Sequence, residues 1–120
     1  INMSKLKQYT YSLAVALVAL YVGAAGVAKL FGVPEVTQSF TTMGLPEGTS
    51  FLAGLCEVAA AVGFYITPMR RLAAGCLIPV MLGALYYHVI FTPLPQAIPA
   101  LLILLTCLWI AIRPAQRNDD

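Results

Sequence analysis

Four long apolar runs separated by polar, turn-forming segments make up most of this chain. The first covers residues 10–30, TYSLAVALVALYVGAAGVAKL, and at about 1.5 Å per residue it is long enough to cross a hydrocarbon core of ~30 Å. The second runs over about residues 50–66 and ends at Thr67-Pro68. The third covers about residues 72–91, with Pro79 in its middle and a kink predicted there. The fourth covers about residues 96–112, with Pro99 in its first turn and Arg113-Pro114 as its stop. A tight turn at Thr92-Pro93-Leu94-Pro95 joins the last two. Residues 31–49 differ in character, being rich in Gly, Pro, Thr, Ser and Glu, yet Val36, Phe40 and Met43 keep helical spacing. Pro34 is placed to start a helix there, Glu35 to sit near its positive end and Gly44 to stop it, which predicts a short surface helix within residues 34–44. Ile1 and its neighbours carry no structural weight, and residues 115–120 form a polar tail expected to fray.

Composition turns these runs into membrane spans. The chain of 120 residues is 60% hydrophobic and only 10% charged, with a mean hydropathy of +0.84, whereas soluble domains carry about 25% charged residues. The predicted fold is an all-α membrane protein, a four-transmembrane-helix bundle with a short interfacial helix between helices 1 and 2, forming one domain over residues 1–120. Nothing is left over for a soluble catalytic domain. A basic start followed by Gly23-Ala24-Ala25 resembles a signal peptide, but the apolar run continues past the usual h-region and three more follow.

The net charge of +2 matters through its placement. Lys5, Lys7, Arg70, Arg71, Arg113 and Arg117 all lie outside the apolar runs and, with four crossings, on one side. The positive-inside rule then puts both termini in the cytoplasm and residues 32–48 outside. These charges need no nucleic acid to explain them. Trp109 and the tyrosines near helix ends suit interfacial anchors. Cys56, Cys76 and Cys107 occupy three different runs without a C-x-x-C pair, so no metal or dithiol motif is present. No disulfide is expected, since Cys56 should lie in the outer half, Cys76 nearer the cytoplasmic end and Cys107 near the middle.

Candidate chemistry centres on Glu57, an acid within the second apolar run. An acidic group near mid-membrane costs about 2.5–3.5 kcal/mol and usually faces the bundle interior. Its neighbours one turn away, Ala53, Gly54, Ala60 and Ala61, are small and permit close helix approach. Lys29 and His88 fall in the same outer leaflet, so Glu57 is predicted to meet one or both in a polar pocket that opens outward. The functional reading is a proton-handling or ligand-binding carboxylate; the plainer one is a structural bond between helices. Lys29 on its own would snorkel toward head groups, and His88 is the next candidate for carrying a proton. Tyr86 and Tyr87 flank His88 as a candidate wall for an aromatic ligand, with packing as the plainer role.

The residues Ala25-Gly26-Val27-Ala28-Lys29-Leu30-Phe31-Gly32-Val33-Pro34, then Phe40 with Gly44-Leu45-Pro46, then Gly54-Leu-Cys-Glu57, then Met81-Leu-Gly-Ala84 with His88 resemble the DoxX or DoxX-like family of small four-helix membrane proteins. The resemblance spans roughly residues 10–114. It implies association with redox or quinone-linked complexes, since the family takes its name from a subunit associated with a thiosulfate:quinone oxidoreductase. The chain has no flavin, haem or dithiol motif, so no cofactor is encoded, although quinone or lipid binding is compatible with the fold. One reading is therefore an accessory or scaffold subunit of a larger complex in the bacterial cytoplasmic membrane, partnered by lipid, other subunits or further copies of itself. The other is a stand-alone membrane enzyme or carrier that uses Glu57, His88 and Lys29 on a lipophilic substrate.

Overall fold

A computed structural model describes residues 2–113, and among these the fold is entirely helical. The order is α1 (Met3–Leu30), α2 (Pro34–Thr42), α3 (Thr49–Gly63), α4 (Arg70–Phe91) and α5 (Ile98–Ile112), with 3₁₀ turns at Thr67–Met69 and Leu94–Ala97. The tail at residues 115–120, Arg117 included, lies outside the described residues, as does Ile1.

Helix α1 begins a full two turns before its apolar run, at Met3 rather than near residue 10. The cause is local. Asn2 is extended, and its side-chain oxygen accepts from the Lys5 N–H at 2.8 Å, capping a polar first segment that needs no hydrocarbon around it to stay helical. The other end stops where Gly32 takes a φ of +70°, a left-handed conformation that other residues adopt only with strain. Pro34 then opens α2. On α2 the predicted stripe of Val36, Phe40 and Met43 is half-buried while Glu35 and Gln38 are exposed. The short helix therefore leans its apolar side on α1 and α3.

Helix α3 is shorter than the predicted run, ending at Gly63 instead of near Ile66. Pro68 disfavours helical backbone at Thr67, and residues 63–66 close in turns with Tyr65 N–H on Val62 O and Ile66 N–H on Gly63 O. The Arg70 Nε donates to the Phe64 carbonyl at 2.6 Å, so the start of α4 satisfies the end of α3. Helix α4 runs through Pro79 from Arg70 to Phe91. Thr92-Pro93-Leu94-Pro95, predicted as a simple turn, passes into the second 3₁₀ segment.

The four long helices pack in sequence, α1 on α3, α3 on α4 and α4 on α5, with α5 returning to α1 over a short stretch. The core stripe of α1 is Tyr11, Val15, Val18 and Val22, spaced to share one face, and it meets Phe64, Leu77, Leu104, Cys107 and Ile110 from the other helices. Tyr11 is thus a core residue and not an interfacial anchor: it is 3% exposed, packs edge-on against Trp109 at 5.1 Å between centroids, and carries the Arg113 guanidinium 3.7 Å from its ring centre. Arg71 donates to the Ala111 carbonyl, tying the start of α4 to the end of α5.

The outward faces are as apolar as the core. Leu13, Leu17 and Leu20 on α1, Leu52 and Leu55 on α3, Leu82 and Ile90 on α4, and Leu102, Leu105 and Ile112 on α5 are all exposed. A continuous surface of this kind suits lipid and not water. Met3–Leu30, Thr67–Phe91 and Leu94–Ile112 are each long and apolar enough to cross a membrane, and Thr49–Gly63 is a shorter apolar helix. This is the surface of a membrane protein.

The cysteines are free thiols, but their levels differ from the expectation. Cys56 Sγ lies 3.8 Å from the Cys76 carbonyl oxygen, so the two stand opposite each other and not in separate leaflets. With α3 ending at Gly63, Cys56 is seven residues from its C-terminal end, and Cys76 is six from the start of α4.

Candidate functional site

A close approach of two helices accompanies an ion pair between Lys29 and Glu57. Where α1 crosses α3, a β-carbon added at Gly26 would stand 2.9 Å from the Gly54 carbonyl, and one added at Gly54 would stand 2.9 Å from the Gly26 carbonyl and 2.8 Å from Lys29 Cβ. Backbone touches backbone, as small residues allow between membrane helices. Lys29 and Glu57 each follow one of these glycines by three residues and so lie on the same contact face.

Direction then brings their side chains together. In a helix the Cα–Cβ bond tilts toward the N-terminus, and α1 and α3 are antiparallel. Lys29 therefore leans back toward the middle of α1, while Glu57 leans toward the start of α3. The Lys29 Nζ reaches within 2.8 Å of Glu57 Oε1, with the side chains 11% and 3% exposed. The contact is charge-assisted, ammonium against carboxylate, with Oε1 itself buried. Lys29 does not snorkel outward; its ammonium serves the carboxylate, and its place in the last turn of α1 adds a favourable helix-dipole term.

The other predicted site residues form a second group at the end of α4. His88 Nδ1 lies 3.2 Å from Thr92 Oγ1, and the Thr92 hydroxyl donates to the His88 carbonyl at 2.8 Å. The same Thr92 oxygen lies 3.3 Å from the Pro93 carbonyl, so it ties the ring to the chain where the helix ends. Tyr87 stands edge-on to His88 at 5.2 Å and stacks on Phe91 at 5.6 Å, while Tyr86 meets Phe91 edge-on at 6.3 Å. Tyr86 is 55% exposed and Tyr87 half-buried. Phe91 is the member that sequence reading left out, and its spacing of four and five from the two tyrosines was the available signal. Among the described residues no hydrogen bond or ion pair links His88, Tyr86 or Tyr87 to Lys29 or Glu57.

The arrangement can do two things chemically. The Lys29–Glu57 pair brings opposite charges together with the carboxylate buried and the lysine side chain 11% exposed, and it joins α1 to α3. The histidine and its aromatic neighbours present a partly open face beside Thr92.

The model of the DoxX-like family matches residues 13–111, and the chain belongs to that family. Comparison with curated proteins and with solved structures found no match.

Proposed function

From that membership we propose that the chain is an accessory or scaffold subunit of a larger membrane complex, one linked to redox or quinone chemistry, and that it has no turnover of its own. In this reading it crosses the bacterial cytoplasmic membrane four times, keeps both termini inside and rests α2 on the outer surface. The observation that carries it is the sealed Lys29–Glu57 pair. A carboxylate 3% exposed and already matched by an ammonium serves helix pairing better than proton exchange with a substrate. The apolar outer faces of all four long helices leave broad surface for other subunits and lipid.

Extraction of the full chain from native membranes in a mild detergent, followed by native mass spectrometry, tests the reading. A stoichiometric protein partner is the expected result. An isolated bundle that converts or carries a lipophilic substrate unaided would overturn it in favour of the stand-alone enzyme or carrier, and His88 with Tyr86 and Tyr87 would then be the first residues to vary.

A further inference from the structure

Between α2 and the start of α3 lies a cavity of about 460 Å³, within the roughly 300–1,000 Å³ range of small-molecule sites. Its walls include Thr37 and Thr41, one turn apart on α2, with Phe40 between them, Glu47 on the connecting loop, and Ser50 in the first turn of α3. The hydroxyls in this region fall into two sets. Those of Ser39, Thr42 and Thr49, which do not line the cavity, each donate to a nearby carbonyl, at 3.0, 3.1 and 2.7 Å. Those of Thr37, Thr41 and Ser50, which do line it, make no hydrogen bond within the chain, and the Ser50 oxygen is buried. Unpartnered hydroxyls keep their capacity to donate and accept, those of Thr37 and Thr41 directly at the cavity wall and that of Ser50 once its buried oxygen rotates into reach.

We propose that this cavity binds an uncharged, polyhydroxylated ring, a glycosyl group either free or carried on a lipid. Each hydroxyl can both donate and accept, which complements ligand hydroxyls that do the same, and Glu47 adds an acceptor. The half-buried Phe40 ring offers an apolar face for the C–H side of a sugar ring. No cation lines the cavity, so anionic head groups meet only the like charge of Glu47. The site is separate from the Lys29–Glu57 pair and from the His88 cluster, and it stands whether or not the chain is a complex subunit.

Hydrogen–deuterium exchange of the full chain in phosphatidylcholine nanodiscs tests the proposal over residues 37–50. Additions are a monoglucosyl diacylglycerol, soluble methyl glucoside, or phosphatidylglycerol as the anionic comparison. Exchange in this segment slows with a glucosyl compound and not with phosphatidylglycerol. Protection by the lipid alone identifies a lipid-borne sugar, and protection by both identifies the ring itself. Thr41→Val, at an exposed position that leaves the fold intact, weakens apparent affinity roughly 2- to 10-fold, the loss of one hydrogen bond. Thr37→Val/Thr41→Val abolishes the protection while exchange without additive is unchanged. Equal protection by phosphatidylglycerol, protection by neither glucosyl compound, or full protection in the double variant would each overturn the proposal.

Discussion

Glu57 and Lys29 occupy matching positions but not equivalent ones. Lys29 is in the last turn of α1, so if its partner is removed its long stem can swing toward the head groups. Glu57 lies in the ninth position of a 15-residue helix, and its short side chain has no such exit. The two single variants should therefore differ. Glu57→Gln is expected to lower bundle stability by about 1–3 kcal/mol, whereas Lys29→Met, which strands a buried carboxylate, should cost roughly 3–5 kcal/mol. Replacing both, Lys29→Met with Glu57→Leu, should recover most of that loss, because a buried ion pair exchanged for apolar side chains of similar size is often neutral or better. Equilibrium unfolding in mixed micelles reads all three. A double variant as unstable as Lys29→Met alone would show that the charges do more than cancel each other.

At the scale of elements, the α1–α3 crossing depends on two glycines that have no room for a side chain. Gly54→Ala would place its new carbon 2.8 Å from Lys29 Cβ and 2.9 Å from a backbone oxygen, neither of which is a flexible chain end. Overpacking of this kind typically costs about 1–3 kcal/mol, and separating the helices would also stretch the ion pair. Gly75 and Gly83 on α4 provide the comparison, since a carbon added at either meets nothing within 4 Å. Gly75→Ala and Gly83→Ala should be neutral or raise stability by up to about 1 kcal/mol through helix propensity. Thermal unfolding of the three variants in one detergent separates the effects, and equal losses at all three positions would remove the close-approach explanation. The modest length of α3 follows from its stop before Pro68. At about 22 Å for 15 residues it is shorter than a ~30 Å hydrocarbon core, and the Arg70 bond to Phe64 O, with the turns over residues 63–66, extends its polar closure at the C-terminal end.

For the whole molecule, one end of the bundle gathers Arg70 and Arg113 at Tyr11, with Arg70 on the Phe64 carbonyl and Arg71 on the Ala111 carbonyl, and α2 occupies the opposite end. If α3 crosses the bilayer despite its length, positions 42 and 69 face opposite compartments. In a background with Cys56, Cys76 and Cys107 replaced, Thr42→Cys should react with a membrane-impermeant thiol reagent from outside intact cells. Met69→Cys should react only after permeabilisation. Labelling of both from the same side would mean that α3 dips into the membrane without crossing it, and the shared cytoplasmic location of the termini would fall with it. Shortness is tolerable because a bilayer thins or the flanking residues reach for the interface at a cost of fractions of a kcal/mol per ångström.

Helix order and membrane character were legible in the chain itself. Those follow from run length, hydropathy and local stops such as Gly32, Pro34 and Pro68, all of which act within a few residues. It also marked Glu57 as needing a partner and Lys29 as one of two candidates, because an acid in an apolar run is costly whatever surrounds it. Tertiary structure decided the choice between Lys29 and His88. That choice depends on the antiparallel lean of side chains at a backbone contact between Gly26 and Gly54, while His88 is held by Thr92 one turn further along its own helix. Packing also set the levels of Cys56 and Cys76, the burial of Tyr11, and the arginine bonds to the Phe64 and Ala111 carbonyls. Each joins residues distant in the chain through the relative height of helices, a quantity that no single run of sequence contains.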